Sequence, residues 1–255
     1  MTRPAFVTRG AFALALALSL GATAAPAFDI TSMTQPESEA FGEAVRGYLM
    51  ENPEVLMEVI AELEAQQAAA QASGDSALVL SNAADIYEDG FSWVGGNPEG
   101  SLTVVEFIDY RCGYCRKAHS EVLELVESDG DIRYIVKEFP ILGEESVIAS
   151  QFAVAALQLA GPEAYEKINH GLYTEFRGAM TAERLATFAT DLGLDGKAIA
   201  AGMDSPEVAK VLNENQALAQ RLQIQGTPTF VMGDQLLRGY VPLEGMRAMV
   251  EEVRG

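Results

Sequence analysis

Residues 102–115 of the chain read Leu-Thr-Val-Val-Glu-Phe-Ile-Asp-Tyr-Arg-Cys-Gly-Tyr-Cys. The first eight are apolar or β-branched almost throughout, which predicts a buried central strand over Leu102–Asp109. A helical pattern follows over Cys112–Val126, and the apolar stretch Ile132–Lys137 predicts a second strand. Strand, helix and strand within about 36 residues form a βαβ unit, whose crossover is right-handed. This stretch therefore predicts an α/β fold.

Cys112 and Cys115 are the only cysteines of the chain, and they stand where the predicted strand ends and the helix begins. Their spacing is too short to join distant parts of a fold, so the pair indicates reactive use. The start of a helix favours negative charge, which should lower the pKa of Cys112 into roughly the 3.5–7 range. We expect Cys112 to attack a disulfide and Cys115 to resolve the mixed disulfide.

Other uses of two cysteines compete with this one. Zinc would need further ligands, and His119 and His170 are the only histidines. Haem attachment needs a histidine directly after the second cysteine, where this chain has Arg116. A thiol metal site formed by Cys112, Cys115 and His119 stays geometrically open, although we expect His119 to lie on a solvated helix face.

The rest of the chain after residue 90 continues the α/β pattern. A first strand is predicted over Phe91–Val94, and residues 144–222 form an all-helical insert. A hairpin over Thr229–Met232 and Gln235–Arg238 follows, with a turn at Gly233-Asp234. The predicted helices are Glu144–Leu159, Pro162–Thr174, Ala182–Leu192, one that begins at Ser205-Pro206, and Pro242–Val253.

Residues 1–27 have the pattern of a secretory signal peptide: two arginines, a short apolar run, and an Ala-rich exit. A membrane anchor is the alternative, but the apolar run is well short of the ~20 residues needed to span a bilayer. The sequence leaves cleavage open after Ala24, Ala25 or Ala27. We therefore expect an exported, periplasmic protein.

The charge of the chain excludes two classes of partner. Its 255 residues include 17 Lys+Arg and 37 Asp+Glu, a net charge of −20, and removal of residues 1–27 would leave −22. Nucleic-acid binding needs a basic face, and docking on anionic lipid needs basic residues as well. We expect neither partner.

Residues 28–76 predict a helical stalk in front of the domain at 77–255. Asn52-Pro53 marks the start of a second helix, with Asn as cap and Pro at the first position. The second helix carries an apolar stripe, and Ser73–Ser76 is interpreted as a break. Such short helices are marginal alone. They must pack on the rest of the chain or on copies of it, and we expect a homo-oligomer through residues 38–73. The stripe consists of Leu56, Val59, Ile60 and Leu63.

Two motifs together resemble the DsbA-type branch of the thioredoxin fold: Glu106–Cys115 and Gly226-Thr-Pro-Thr-Phe230. The resemblance covers about residues 90–255 and extends to the helical insert. It implies that the Thr227–Pro228 bond is cis, that its loop faces the cysteines, and that Thr227 tunes redox behaviour. In the family this loop offers backbone hydrogen bonds to the substrate peptide.

The resemblance also suggests roles for neighbouring residues. Glu106 resembles the family's buried acid, which passes a proton for the resolving cysteine, and a strand-end glutamate that reaches solvent is the alternative. Gly113 and Tyr114 would join Thr227 and Pro228 in the substrate site. For Tyr114, an exposed spacer is the alternative.

The N-terminal segment Tyr48–Leu56 resembles the stalk of DsbA-like proteins of the copper-sensitivity-suppressor type. Gly-Tyr between the cysteines and Thr before the proline are shared with oligomeric periplasmic isomerases. The resemblance implies an oligomeric disulfide isomerase or reductase with protein substrates, a membrane redox partner that resets the cysteines, and no cofactor. A monomeric dithiol oxidase and a periplasmic copper-binding chaperone are the alternatives.

Overall fold

The structure is a computed structural model that describes residues 32–255, so the predicted signal peptide at 1–27 lies outside the described residues. By its internal contacts the chain divides into two units, Met1–Ala61 and Glu62–Gly255. Within residues 32–255, no helix combines the length and the apolar character needed to cross a membrane.

The first helices agree with the predicted restart at Asn52-Pro53. Helix α1 spans Gln35–Glu51, and α2 spans Pro53–Ser81 and crosses the boundary between the units. A capping box starts α1, because the Thr34 amide donates to the Glu37 carboxylate at 2.8 Å. Proline at the first position of α2 needs no amide partner there.

The predicted break at Ser73–Ser76 is wrong, because α2 runs through it. Ser, Gly and Asp each lower helix stability by at most about 1 kcal/mol relative to Ala, which tertiary contacts can offset. Asp75 accepts two hydrogen bonds from the Arg238 guanidinium, at 2.5 and 2.9 Å, and the Ser76 hydroxyl donates to Asp234 at 2.7 Å. Val79 is buried. These contacts lie within the second unit and keep the segment helical.

A five-stranded mixed sheet forms the centre of the second unit, in the order β1-β3-β2-β4-β5. Its strands are β1 Trp93–Gly96, β2 Leu102–Ile108, β3 Ile132–Glu138, β4 Thr229–Met232 and β5 Gln235–Arg238. Strands β2 and β3 are parallel, which confirms the predicted βαβ unit, and the other neighbours are antiparallel.

The first strand begins two residues later than predicted. The amides of Phe91 and Ser92 donate to the Asp89 carboxylate, both at 3.0 Å. These two residues therefore belong to a turn that the Asp89 side chain stabilises, and the strand begins after them. The hairpin of β4 and β5 has the predicted bounds.

The helical insert lies between β3 and β4, as predicted. The remaining helices are α3 Ala83–Tyr87, α4 Gly113–Asp129, α5 Glu144–Ala160, α6 Pro162–Thr174, α7 Ala182–Asp191, α8 Gly196–Gly202, α9 Pro206–Arg221 and α10 Leu243–Arg254. Helix α8 was missed because it is short, has Gly at both ends, and begins on a cap by Asp195, whose carboxylate accepts from the Ala198 amide at 3.0 Å.

Side chains of alternate residues in the central strands pack into two hydrophobic cores, one on each face of the sheet. Val104 and Phe230 join the core that contains α4, α5 and α6, and both cysteines belong to it. Val105 and Val231 join the smaller core beneath α3 and α9. The reactive pair therefore lies at the edge of the larger core.

Candidate active site

Asp109 fixes the loop that carries the cysteines, and sequence analysis missed it. It follows β2 directly, and its main-chain oxygen accepts from the Cys112 amide at 3.1 Å. Its buried carboxylate accepts hydrogen bonds from the cysteine loop and from the segment that leads into α5. A carboxylate with this many donors ties the end of β2 to the start of α5. The donors are the amides of Arg111, Ile141 and Leu142 and the hydroxyl of Ser146, at 2.7–3.0 Å.

Cys112 and Cys115 differ in acidity although both are free thiols. Cys112 is the N-cap of α4, and its sulfur accepts from the Cys115 amide at 3.4 Å. A hydrogen bond from the Cys115 side chain is the largest cause that lowers the Cys112 pKa, to about 5, within the predicted range. Burial raises the pKa of Cys115 far above its ordinary value. Cys112 is therefore a thiolate at neutral pH, and Cys115 holds its proton.

The loop before β4 faces this pair, as the resemblance implied. The Thr227–Pro228 bond is cis. The Cys112 thiol donates to the Thr227 main-chain oxygen at 3.1 Å. Among residues 32–255 the buried Thr227 hydroxyl has no hydrogen-bond partner, and the Thr227 side chain helps to lower the Cys112 pKa. The loop is thus part of the sulfur's environment.

Glu106 is buried behind the cysteines, so the alternative of a solvent-reaching glutamate is wrong. It lies on the β2 face that points to α4, and it accepts a hydrogen bond from the Tyr134 hydroxyl. Burial raises its pKa to about 8, the Tyr134 hydrogen bond opposes the rise, and the Cys112 charge adds to it. The Glu106 charge in turn raises the pKa of Cys115. Carboxyl and resolving thiol are therefore electrostatically coupled.

The prediction that His119 is solvated is wrong, because α6 covers that face of α4. Its ring is 6% exposed, lies 4.9 Å from the Tyr173 ring, and contacts His170 with 3.1 Å between Nε2 and Nδ1. Burial lowers the His119 pKa to about 4, with help from His170 and Arg116. Within residues 32–255, no group of three or more His, Cys, Asp and Glu side chains is arranged to hold a metal ion.

Tyr114 and Tyr240 form an aromatic pair beside Cys112, and sequence analysis missed Tyr240. The rings lie 6.1 Å apart at 25°, and Tyr114 is 63% exposed. Lys117 sits over the Tyr240 ring at 4.2 Å. The Tyr240 hydroxyl donates to Glu121 at 2.8 Å, and the preceding Gly239 amide donates to the Pro228 oxygen at 2.9 Å. No sequence motif signals this contact, which joins the start of α4 to the segment between β5 and α10.

The other residues predicted for the site are placed around this centre. Gly113 is exposed as the first residue of α4, and a Cβ there would meet open space. Glu138 was missed: burial raises its pKa to about 7, although it accepts hydrogen bonds from Ser150, Tyr165 and Tyr110 at 2.6–2.7 Å. It anchors the aromatic residues beneath the cysteine loop.

Family comparisons match both parts of the chain. A family model described as thioredoxin matches residues 88–252, and one described as the copper resistance protein ScsC N-terminal domain matches residues 37–70. A thioredoxin-like oxidoreductase from Silicibacter pomeroyi is 38% identical, with a TM-score of 0.62, and the match covers 67% of this chain and 96% of that one.

Two other solved structures extend the comparison. The thiol-disulfide exchange protein alpha-DsbA2 from Wolbachia pipientis is 26% identical, with a TM-score of 0.67 and coverage of 72% of this chain and 98% of that one. A linker-deletion mutant of Proteus mirabilis ScsC is 25% identical, with a TM-score of 0.62 and coverage of 89% and 99%. The latter match includes most of the N-terminal region.

Curated relatives include much longer proteins. A Na(+)/H(+) antiporter NhaA from Herminiimonas arsenicoxydans is 28% identical over 169 residues, which are 63% of this chain. The chain spans about a quarter of the length of that antiporter.

Proposed function

Since this chain belongs to the thioredoxin family, with DsbA-like and ScsC proteins among its structural relatives, we propose that it is an exported thiol-disulfide oxidoreductase acting on protein substrates. The observation that carries the proposal is the geometry of the pair: Cys112 is the N-cap of α4, Cys115 lies three residues further on, and the Cys112 sulfur lies 3.1 Å from the Thr227 main-chain oxygen. The lowered pKa of Cys112 and the raised pKa of Cys115 fit a pair in which the first sulfur attacks a disulfide and the second resolves the product.

The reaction begins when the Cys112 thiolate attacks one sulfur of a substrate disulfide. A bond from Cys112 to that sulfur forms, the substrate S–S bond breaks, and the leaving thiolate takes a proton from solvent. Cys115 then gives its proton to Glu106 and attacks Cys112. The bond from Cys112 to the substrate breaks, and the substrate sulfur leaves as a thiolate that takes a proton from solvent. The substrate gains two electrons, and the cysteine pair loses them as it becomes a disulfide. The reverse sequence oxidises a dithiol substrate.

Glu106 is suited to the proton step. Its pKa of about 8 leaves a fraction of the carboxyl ionised near neutral pH, so that it can accept a proton from a neighbouring thiol. The Cys115 thiol is otherwise too weak an acid to ionise at neutral pH.

The surface around the cysteines supports a polypeptide substrate. Tyr114, in the first turn of α4, and Leu142, in the loop between β3 and α5, are exposed side chains near the cysteine loop. Leu142 is tied to that loop through the Asp109 carboxylate at 3.0 Å. Gly113 leaves open space beside Cys112. We propose that Gly113, Tyr114, Thr227 and Pro228 contact the substrate chain.

The N-terminal unit supports an oligomeric isomerase or reductase rather than a monomeric oxidase. Helix α1 has no buried residue, and apolar side chains repeat along both helices at three- and four-residue spacings. Self-association would cover them and bring several cysteine pairs to one substrate, which raises effective affinity. The exposed apolar residues include Phe41, Val45, Tyr48, Leu56, Val59, Ile60 and Leu63.

We propose the periplasm as the compartment and a membrane redox partner that resets the cysteines after turnover. The signal-peptide pattern of residues 1–27 supports export. The copper-binding chaperone remains the second candidate because the N-terminal match is to a copper resistance protein. Tight stoichiometric Cu(I) uptake without thiol-disulfide exchange would favour it.

The test of the proposed function is the comparison of Cys112→Ala with Cys115→Ala in insulin reduction. We expect Cys112→Ala to abolish the activity because the attacking sulfur is gone. Cys115→Ala should still attack and should accumulate mixed disulfides, which gel electrophoresis without reductant detects. Unchanged insulin reduction in Cys112→Ala would end the proposal. Reactivation of scrambled ribonuclease, run beside oxidation of reduced ribonuclease, separates isomerase from oxidase.

A further inference from the structure

Three arginine side chains, Arg116, Arg177 and Arg184, gather at the C-terminal end of α6; we call them the arginine cluster. Each guanidinium donates to main-chain oxygens there, and a helix C-terminus favours positive charge. Arg116 also lies 6.0 Å from the Tyr173 ring, and Arg184 lies 5.4 Å from the Phe176 ring. The acceptors are the oxygens of Tyr173, Thr174, Phe176 and Arg177.

The arginine cluster has no carboxylate partner within the part of the chain that the structure describes, although the chain carries 37 acidic residues. Within residues 32–255, no Asp or Glu oxygen comes within 4.0 Å of any of the three guanidiniums, while eight other basic side chains are paired in this way. Glu175 and Glu183, the nearest acidic residues in sequence, form no such pair there. Burial lowers the pKa of Arg116, and the nearby positive charges of Arg177 and Arg111 lower it further. This effect agrees with a short distance between Arg116 and Arg177.

The arginine cluster borders the reactive cysteines. Arg116 follows Cys115, and its amide donates to the Cys112 oxygen at 3.1 Å. Tyr173, whose oxygen holds the Arg116 side chain, donates its hydroxyl to the Asp109 oxygen at 3.2 Å. Tyr173 thus contacts both the Arg116 side chain and Asp109, the residue whose main-chain oxygen accepts from the Cys112 amide.

We propose that the arginine cluster binds carboxylates that lie beside the disulfide attacked by Cys112. This inference rests on the proposed function and names its preferred partner: an acidic disulfide. Each guanidinium still has free N–H donors, and the planar fork of Arg matches a carboxylate. In a chain of net charge −20, a local positive patch steers an acidic partner to this one face, which most of the surface would repel. The carboxylates can come from Asp and Glu of a polypeptide or from a small acidic disulfide.

The test compares rates of reduction by the reduced full-length protein in two arms. The first arm uses two disulfide-linked peptides that differ only in Asp and Glu against Asn and Gln beside the cysteine. The second uses glutathione disulfide and its carboxyl esters. At low salt we expect the acidic member to react faster, and each arginine to supply about a two- to fivefold effect, typical of one exposed ion pair. Added salt should shrink the ratio.

The variants Arg177→Gln and Arg184→Gln should each reduce the ratio of rates, and the double variant should reduce it further, to the effect of Arg116 alone. Lys197→Gln, which removes an exposed positive charge on α8, is the matched control and should keep the wild-type ratio. A preference in the peptide arm alone assigns the site to polypeptides, and one in both arms extends it to small disulfides. Equal rates for acidic and neutral members in the wild-type protein, or a ratio that is as large in the double variant as in the wild type, would overturn the proposal. If the wild-type protein reduces no disulfide at all, the proposed function itself fails.

Discussion

Single side chains at the cysteine loop take their chemistry from what surrounds them. Cys112 and Cys115 are the same residue type three positions apart, yet the pKa of one is lowered to about 5 and that of the other is raised. Ionisation of Cys112 in the folded protein stabilises the reduced form, because the unfolded thiol has the higher pKa. This stabilisation is present above the unfolded pKa and is lost as pH falls through about 5. A stabilised dithiol makes the disulfide more oxidising.

Glu106 gives the residue-scale prediction, in the variant Glu106→Gln. The folded carboxyl has a pKa of about 8 against an ordinary 4.5, so between these values the unfolded state releases a proton that the folded state keeps. The wild-type protein therefore loses stability as pH rises through this window, by up to about 1.4 kcal/mol per pH unit. Glutamine does not titrate and can still accept from Tyr134. We expect the free energy of unfolding of the variant, relative to that of the wild-type protein, to rise as pH increases from 4.5 to 8.

Denaturant unfolding of the reduced proteins at several pH values measures this difference. Glu207→Gln, at an exposed position in the first turn of α9, is the control and should follow the wild-type pH dependence. In activity, Glu106→Gln should slow the resolution of mixed disulfides more than their formation, because Cys115 loses its proton acceptor. Parallel stability curves for wild type and Glu106→Gln would contradict the assigned pKa.

At the scale of elements, the C-terminal part of α2 is held by the last hairpin. Asp75 and Arg238 lie 163 residues apart in sequence and form a two-pronged ion pair, and Arg238 also donates to the Leu222 oxygen at 3.4 Å. The ion pair therefore joins the C-terminal part of α2 to the last residue of the edge strand β5.

Arg238→Gln should loosen this segment. The variant leaves the mostly buried Asp75 carboxylate without its partner, and we expect a loss of about 1–2 kcal/mol of stability. Amide hydrogen exchange over residues 70–81 should speed up more than exchange in β2. Lys210→Gln, which removes an exposed ion pair within α9, is the control and should change stability little. Unchanged protection of residues 70–81 would show that the ion pair does not hold the helix.

At the scale of the whole molecule, we propose that self-association through the N-terminal unit brings several cysteine pairs to one substrate. The exposed large apolar side chains of α1 and of the start of α2 are 39–68% exposed in the single chain. Contiguous exposed apolar faces of this kind mark contact surfaces.

We expect the double variant Leu56→Lys and Ile60→Lys to be monomeric where the wild-type protein self-associates. Charged side chains cannot be buried in an apolar contact without a large cost. The variant should keep dithiol chemistry and lose ribonuclease reactivation. Light scattering at micromolar concentration gives the mass, and Leu159→Lys, at a leucine of similar exposure on α5, is the control. A wild-type protein that is monomeric under these conditions would return the interpretation to a DsbA-like oxidase.

The sequence by itself determined the features that depend on neighbours along the chain. Apolar runs and turn residues set the βαβ unit and the bounds of the β4–β5 hairpin, and caps such as Ser205-Pro206 set helix starts. The position of Cys112 at a helix N-terminus follows from the same local pattern. The cis Thr227–Pro228 bond came from resemblance, since nothing local distinguishes it from an ordinary proline turn.

Only the tertiary structure decided what distant segments do to one another. It buried His119 under α6, kept α2 helical through Ser73–Ser76, and brought Tyr240 to Tyr114. It also placed Arg116 beside two arginines that are distant in sequence. The physical reason is that burial, ion pairing and pKa depend on distances in space between residues far apart in sequence. Periodicity and capping report only the next few residues.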